Sequence, residues 1–522
     1  MCLSVSEILR GLSPRRSSVR RHCARLYSVI VVAMTRNILS NQLQRGVLLT
    51  ASCLAMVVLP LQGQQPAPSS TAPDAPKPAP SGDFLVRLAH FYQEDWHPVP
   101  QAGSPSPAPT RRGPQSPLDS PPFPNADWSY GGAPVIGEPD GNTYPLMTAL
   151  YPKGNLPRTK VYGWLAPGVD GSTSAQTNAP EANDVYPNRL ELNQAVLYIE
   201  RLIETVQQDH FDWGFHLTAL YGTDYRFTTA KGYFSHQWID LHRQYGFDPS
   251  LEYLDLYFPR LGSGGSDLRI GRFISVPGVE AQLAPNNYIF SHSLLYSIDP
   301  FTDTGVLLTT KLNDRWLIQV GLTDGHDVAV WTSDAKPSLT ACIDYTTRSV
   351  NDNWYVCANG INSGKYAYNN MQQYDATWYH RFNKRFHLAS EVWYMYEREV
   401  PAIHPVAAVP IPPEQGANPA LCLRSELRCT APEYAADSSL QMEISQHSYL
   451  AFRGDFLDDK KGQRTGYATR YSEGSLSWNR WFGATVQLRP ELRFDRAWDL
   501  RAYDSGRDHN QFTAATDLIF HF

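Results

Sequence analysis

Residues 512–522, FTAATDLIFHF, alternate between two kinds of side chain up to the last residue of the 522-residue chain. Phe512, Leu518 and Phe520 fall on one face, and Asp517 falls on the other. A period of two with one apolar face is typical of a strand that has lipid on one side and a wet interior on the other. The segment predicts the closing strand of a membrane β-barrel, and its alternative is the edge strand of a soluble sandwich.

The stretch before it shows the same alternation with charges. The polar face of residues 485–498 carries four charged side chains: Arg489, Glu491, Arg493 and Asp495. Leu488, Leu492 and Phe494 lie on the opposite face. A soluble core could not bury the charged face, and a soluble surface would not need so complete an apolar face. The pattern therefore predicts a barrel with a polar interior.

Turn lengths are a second signal, because membrane barrels have tight turns at one end and long loops at the other. The sequence predicts tight turns at 313–314, 383–384 and 482–483, and long polar loops at 325–370, 400–433 and 500–510. The result is an all-β, antiparallel, up-and-down transmembrane barrel of about 14 strands, within a range of 12 to 16. The predicted strands are 158–167, 189–201, 210–222, 249–258, 267–274, 303–312, 315–324, 371–382, 385–397, 433–444, 448–457, 464–481, 484–497 and 511–522.

One segment allows two interpretations. Residues 275–300 could hold another hairpin, which would give about 16 strands. Pro277, Pro285 and Pro300 favour a structured loop instead, folded into the pore, because proline cannot donate to a strand ladder.

The N-terminal part carries an export signal. The apolar run 46–61, GVLLTASCLAMVVLPL, is shorter than the roughly 20 residues of a spanning helix, and it follows Arg36 and Arg45. We predict a signal peptide over 34–63, preceded by an upstream extension over 1–33.

Residues 64–133 are rich in Pro, Ala and Ser, a composition that keeps the backbone extended and buries no core. This segment is predicted to be a disordered periplasmic linker, interrupted near 83–96 by a short amphipathic helix. The barrel is assigned to 134–522.

The cysteines that follow the signal peptide are even in number: Cys342, Cys357, Cys422 and Cys429. In an exported chain this predicts two disulfides, 342–357 and 422–429, each closing a short segment of an outer loop. A zinc site is the alternative, but the spacings match no compact ligand pair and no His accompanies them. No metal and no cofactor are expected.

Several separated stretches resemble the family of outer-membrane β-barrel porins of the OmpL-like type. They include DLRIGRFISVPGVEAQLAPNNYIFSHSLLYSIDPFTDTGVLLT (267–309), LAFRGDFLDDKKGQRTGYATRY (450–471) and VQLRPELRFDRAWD (486–499). FDWGFHLTALYGTDYRFTTAKGY (211–233) is also similar to members of that family. The resemblance implies a channel in the bacterial outer membrane and supplies no substrate.

The side chains expected to line such a channel are the polar ones on the inner faces of the strands: Arg453, Asp455, Arg489, Glu491, Arg493, Asp495, Asp517 and Gln319. Opposite charges on neighbouring strands can pair, and opposed rows of charge orient water and polar solutes. In the alternative interpretation these pairs only satisfy one another and stiffen the interior.

The sequence predicts a porin that passes small hydrophilic solutes or ions by diffusion. No catalytic signature is present, so an enzyme is not expected, and the net charge of -6 with no basic run in the exported part argues against nucleic acid. Two other classes remain: a plugged structural or adhesive barrel, and a secreted carbohydrate-binding β-protein. The expected partners are outer-membrane lipid and, through Phe522, the barrel assembly machinery, and a homo-oligomer is left open.

Deletion of Phe522 should reduce barrel assembly while synthesis continues, because the terminal aromatic residue resembles the sorting signal of outer-membrane barrels. Fractionation and the heat-modifiable gel band measure the assembled fraction. Normal insertion of the truncated protein would contradict the sorting role.

Overall fold

The computed structural model describes residues 82–97, 144–153 and 156–522, the last with gaps at 182–184, 206, 277, 314, 350, 384, 404–417 and 446. The predicted signal peptide and most of the linker lie outside this part. The strands β1 to β16 are Thr159–Ser172, Leu190–Arg201, Asp212–Gly222, Gly246–Phe258, Ser266–Ile274, Thr302–Lys311, Trp316–His326, Ser338–Thr346, Asp352–Ile361, Gln372–Arg381, Phe386–Pro401, Arg428–Ser445, Ser448–Asp459, Arg470–Phe482, Val486–Ala497 and Asn510–His521. The α-helices α1 to α4 are Phe84–Trp96, Pro145–Leu150, Tyr225–Thr228 and His236–Ile239.

In the described part of the chain, these strands form one closed antiparallel barrel. Each strand pairs with its neighbours in sequence, and β16 pairs with β1. Backbone hydrogen bonds between Gly163 and Phe522 continue this last ladder, at 3.1 and 2.9 Å. The barrel therefore has no open sheet edge, as a strand protein in hydrocarbon requires.

The barrel has 16 strands where the sequence pattern placed about 14. The two additional strands, β8 and β9, form a hairpin within 325–370, so the prediction of one long loop there was wrong. Their inner faces carry the apolar residues Cys342, Tyr355 and Cys357, so the difference between the two faces is small. Weak alternation hides a strand.

Residues 275–301 contain no strand, so the structured loop is the correct interpretation of that segment and the hairpin is not. We call these residues the inserted loop, because they enter the barrel between β5 and β6.

Connections alternate between two lengths. Asn313 and Asn383 lie in tight turns, where their side-chain oxygens accept hydrogen bonds from the backbone N–H groups of Arg315 and Arg385, at 2.9 and 2.8 Å. We call this end of the barrel the short-turn rim. At the other end, the long-loop rim, the connections include 223–245 and 402–427.

The two faces of the sheet differ in polarity. Leu492 is 49% exposed on the outside, whereas its neighbour Arg493 is 1% exposed on the inside. Outward aromatic rings pack near the short-turn rim, with Trp354 and Trp378 stacked at 5.1 Å. An apolar belt edged by Trp suits a bilayer and its interface. No helix within the described ranges is long and apolar enough to cross a membrane.

Helix α1 lies against the short-turn rim. The Asp95 carboxylate accepts hydrogen bonds from the backbone N–H and the hydroxyl of Thr485, at 3.2 and 2.7 Å, and Trp96 donates to the same hydroxyl at 3.0 Å. Tyr92 donates to the backbone carbonyl of His521 at 2.9 Å. The helix thus joins the β14–β15 turn to the end of β16.

Leu492→Arg should impair membrane insertion, because a cation at mid-bilayer on the lipid face of a barrel costs about 2–4 kcal/mol. The measurement is the folded, heat-modifiable fraction after insertion into lipid vesicles. Leu423→Arg makes the same change in an exposed loop and should insert normally. Equal insertion of both variants would mean that Leu492 does not face lipid.

Candidate functional site

The inserted loop occupies the barrel interior. Its apolar side chains are buried, including Ile289, Phe290, Leu294 and Ile298. Its backbone is removed from water along with them, and a buried N–H or C=O without a partner is unfavourable. The inner faces of the strands must therefore supply hydrogen bonds to this loop.

Arg489 of β15 supplies three of them. Its Nη1 group lies 2.8, 3.0 and 3.2 Å from the carbonyl oxygens of Ala284, Asn287 and Ile289. The rest of the guanidinium pairs with Asp517 of β16, with Nε at 2.9 Å from Oδ1. One arginine thus fixes both the loop and the β15–β16 ladder.

Arg453 of β13 binds the next part of the loop. It donates to the Ser291 carbonyl and hydroxyl at 2.7 and 2.9 Å and to Glu280 of the loop at 2.8 Å. Its two remaining N–H donors reach Glu473 of β14 at 3.2 Å. All five guanidinium donors are occupied.

Arg493 of β15 has a similar arrangement. Its Nη1 group donates to the Ser291 hydroxyl at 3.0 Å and to the His292 carbonyl at 2.5 Å. Its Nε and Nη2 groups pair with Asp495 at 2.9 and 2.8 Å. Burial lowers the pKa of His292 to about 4, so this ring is neutral near pH 7.

Strand carboxylates hold the loop from the acceptor side. Three of them accept from loop backbone N–H groups: Glu491 from Ser291 at 2.8 Å, Asp455 from Leu294 at 2.9 Å, and Glu391 from Val279 at 2.7 Å. Because donors and acceptors on β11, β13 and β15 meet the loop, its position in the barrel is fixed by hydrogen bonds as well as by apolar packing.

The end of the inserted loop is anchored beside the long-loop rim. Asp327 accepts from the backbone N–H groups of Phe301 and Thr302 at 3.1 and 2.8 Å. Burial raises the pKa of Asp327, and these two hydrogen bonds oppose that rise. Arg464 donates to the Ile298 carbonyl at 2.7 and 3.0 Å.

The structure places all eight predicted channel-lining residues on inner faces, where each is buried. Seven of them lie together beside the inserted loop: Arg453, Asp455, Arg489, Glu491, Arg493, Asp495 and Asp517. Gln319 is separate, on β7, where it donates to Thr309 at 3.0 Å. The partners described for these side chains are protein groups, and contact with a passing solute stays a prediction.

The sequence analysis did not predict a row of carboxylates that runs along the inner wall from one strand to the next. Five acidic residues on successive strands β11 to β15 are direct cross-strand partners: Glu391, Asp437, Asp455, Glu473 and Asp495. Asp375 of β10 touches the Glu391 carboxyl group. The sequence showed alternation in these strands, but the row depends on the register between strands, which the pattern of a single strand does not contain.

The two cysteine pairs are those predicted. Cys342 and Cys357 are bonded, and so are Cys422 and Cys429. The placement of the first pair in an outer loop was wrong, because Cys342 and Cys357 face each other across the β8–β9 ladder and are buried inside. Among the described residues, no group of three or more His, Cys, Asp or Glu is placed to hold a metal ion.

The short-turn end of the interior is also partly covered. Tyr144, just before α2, packs edge-on against Tyr162 of β1 with ring centroids 5.1 Å apart. Met147 of α2 is 3% exposed and belongs to the same apolar cluster. Protein groups therefore narrow the interior at this end as well as at its centre.

Comparison with known proteins identifies one family. The model of the family described as "Putative beta-barrel porin-2, OmpL-like" matches residues 159–522. No curated protein matches the chain at a significant level.

Solved structures with similar folds are distant in sequence. The anion-selective porin of Comamonas acidovorans is 9% identical, with 70% of this chain and 99% of that chain covered and a TM-score of 0.43. The outer membrane channel DcaP of Acinetobacter baumannii is 10% identical, with 70% and 97% covered and a TM-score of 0.43. At such identities, the solutes of those proteins are not evidence about this chain.

Arg489→Gln should lower the free energy of unfolding by about 3–5 kcal/mol, because it leaves the buried Asp517 carboxylate unpaired. Combining it with Asp517→Asn should recover part of this loss, since no lone charge remains. Urea unfolding in lipid vesicles measures the difference.

Arg496→Gln is the matched control, because Arg496 lies on the outer face of the same strand and stacks on Trp498. It should change the unfolding free energy by only about 0.5 kcal/mol. A similar small effect of Arg489→Gln would contradict the role assigned to the buried arginine.

Proposed function

Because the chain belongs to the family described as "Putative beta-barrel porin-2, OmpL-like", we propose that it conducts small hydrophilic solutes or ions by passive diffusion. Membership of this family makes it an outer-membrane porin, and the proposal adds the bacterial outer membrane as its location. Porins are channels, and the proposal includes no chemical step on the solute.

The observation that carries the proposal is the polarity of the barrel interior. The inner face of β15 presents Gln487, Arg489, Glu491, Arg493 and Asp495, while Leu488, Leu492 and Phe494 lie on its outer face. A polar interior behind an apolar belt is the arrangement through which a barrel passes hydrophilic solutes. The inserted loop would set a narrow size limit on them.

A plugged structural barrel is the second candidate. The buried inserted loop favours it, and so does the cover formed by Tyr144 and Met147 at the short-turn end. In that function the charges of the interior would serve only to hold the plug. A secreted carbohydrate-binding protein is disfavoured by the apolar outer face.

The partners follow from the same surfaces. Outer-membrane lipid would cover the apolar belt, and the barrel assembly machinery would read the strand that ends in Phe522. Assembly into a homo-oligomer is compatible with the closed barrel.

Planar bilayer recordings of the refolded protein should show discrete conductance steps of small size. The variant that combines Arg489→Gln with Asp517→Asn should give larger steps, because the inserted loop loses three of its hydrogen bonds. Swelling of liposomes in sugars of increasing size measures the exclusion limit.

Arg496→Gln should leave the step size and the exclusion limit unchanged. The absence of steps in both the wild type and the variant with the weakened loop would support the plugged barrel and overturn the porin function.

A further inference from the structure

The inner wall formed by β10 and β12 carries polar side chains that form no hydrogen bond with the inserted loop. Among the described residues, three buried carboxyl groups receive no hydrogen bond from an amide, hydroxyl or guanidinium group on either oxygen: Glu433, Asp437, and Asp375, which lies against the Glu391 carboxyl group. Their exposed fractions are 0%, 4% and 2%. All three lie on the inner faces of β10 and β12, the two strands that flank β11.

The charges of Arg453 and Arg464 act on Asp437 and Glu433, but the guanidinium donors point elsewhere. The five N–H groups of Arg453 donate to Glu280, Glu473 and Ser291. Arg493 likewise donates its hydrogen bonds to Asp495 and to the inserted loop. The guanidinium donors are thus used on the β13–β15 side, and Asp437 and Glu433 of β12 receive none of them.

Neutral polar groups on the same wall are unpartnered as well. The Thr377 hydroxyl has no partner, is 1% exposed, and lies directly opposite Glu391 in the β10–β11 ladder. Both polar atoms of the Gln441 carboxamide also lack partners, and this side chain is 3% exposed. The Thr377 hydroxyl and the Gln441 carboxamide can bind water or ions. They are a second observation, separate from the carboxyl groups, of polar atoms without protein partners on this wall.

The unpartnered groups extend along the barrel. Glu433 and Gln441 are eight residues apart on β12, which is about 27 Å along a strand and about 20 Å of depth once the usual tilt is allowed for. That depth is close to the height of the apolar belt, about 25 Å. The polar track therefore runs through most of the membrane.

A buried carboxylate without a donor is strongly unfavourable unless it takes up a proton or unless water or a cation solvates it. We propose that a hydrated, cation-preferring path runs between the inserted loop and the inner wall of β10–β12, with Asp375, Asp437 and Glu433 attracting the ion. This inference rests on the porin function proposed above and names its preferred solute. A row of carboxylates attracts cations and repels anions.

Ions pass along this path and are not held at one binding site. The carboxylates are spread along two strands, and the described residues hold no cluster suited to a bound metal ion. Separated weak sites let a hydrated ion enter and leave, as conduction requires. The solute class is therefore a small monovalent cation such as K⁺.

The test is the reversal potential of the full-length mature protein in a planar bilayer under a KCl gradient. The wild type should favour K⁺ over Cl⁻. Asp375→Asn combined with Asp437→Asn should reduce the permeability ratio about threefold or more, because it removes two of the three carboxyl groups proposed to attract the ion. Asp209→Asn makes the same kind of charge change on an exposed turn and should leave the ratio unchanged.

The outcomes separate the two proposals. A wild type without conductance overturns the porin function. Conductance without cation preference, or a double variant that keeps the wild-type ratio, overturns the cation path alone.

A second measurement applies even if the double variant does not fold. Thr377→Cys keeps all carboxylates and adds a thiol to the proposed path, since the native cysteines beyond the signal peptide are paired. A cationic methanethiosulfonate reagent should modify this thiol about tenfold faster than an anionic one. Equal rates, or faster reaction of the anion, would overturn the proposal.

Discussion

Hydrocarbon offers no partner for a backbone N–H or C=O group, and the rest of this structure depends on that constraint. The sheet meets it by closing, with Phe522 bonded to Gly163 beside the last ladder. Closure gives every strand one face toward lipid and one toward the interior. The polar side chains must then collect inside, where the inserted loop needs them because its own backbone is also removed from water.

The inserted loop divides the interior into two unequal halves. On the β13–β15 side, Arg453, Arg489 and Arg493 bind loop carbonyl groups and strand carboxylates, so arginine donors reach both the loop and the acidic side chains there. On the β10–β12 side, Glu433 and Asp437 have no donor. The arginines thus fix the position of the inserted loop. The acidic residues of β10 and β12 lie on the other part of the inner wall.

Much of the fold could be predicted because alternation is a local property. In β15 and β16 the apolar and polar faces are complete, and the inner positions of Arg489 and Asp517 follow from counting by two. The hairpin of β8 and β9 was missed because apolar Cys342, Tyr355 and Cys357 on its inner faces weaken the alternation. The partners of Arg489 could not be predicted, because Ala284 and Ile289 lie about 200 positions away and no periodicity relates them. The carboxylate row depends on register, which a single sequence does not state.

Stability and permeation can therefore reside on different strands of one barrel. Breaking a buried ion pair such as Arg489 with Asp517 leaves a charge that nothing nearby can solvate, at a cost of about 3–5 kcal/mol. Asp437 has no donor to lose, so its neutralisation breaks no hydrogen bond and removes an unfavourable burial. The Asp437 carboxylate does not help to hold the fold together, and its removal from water is unfavourable. Attraction of a cation along the proposed hydrated path is a physical reason for its presence.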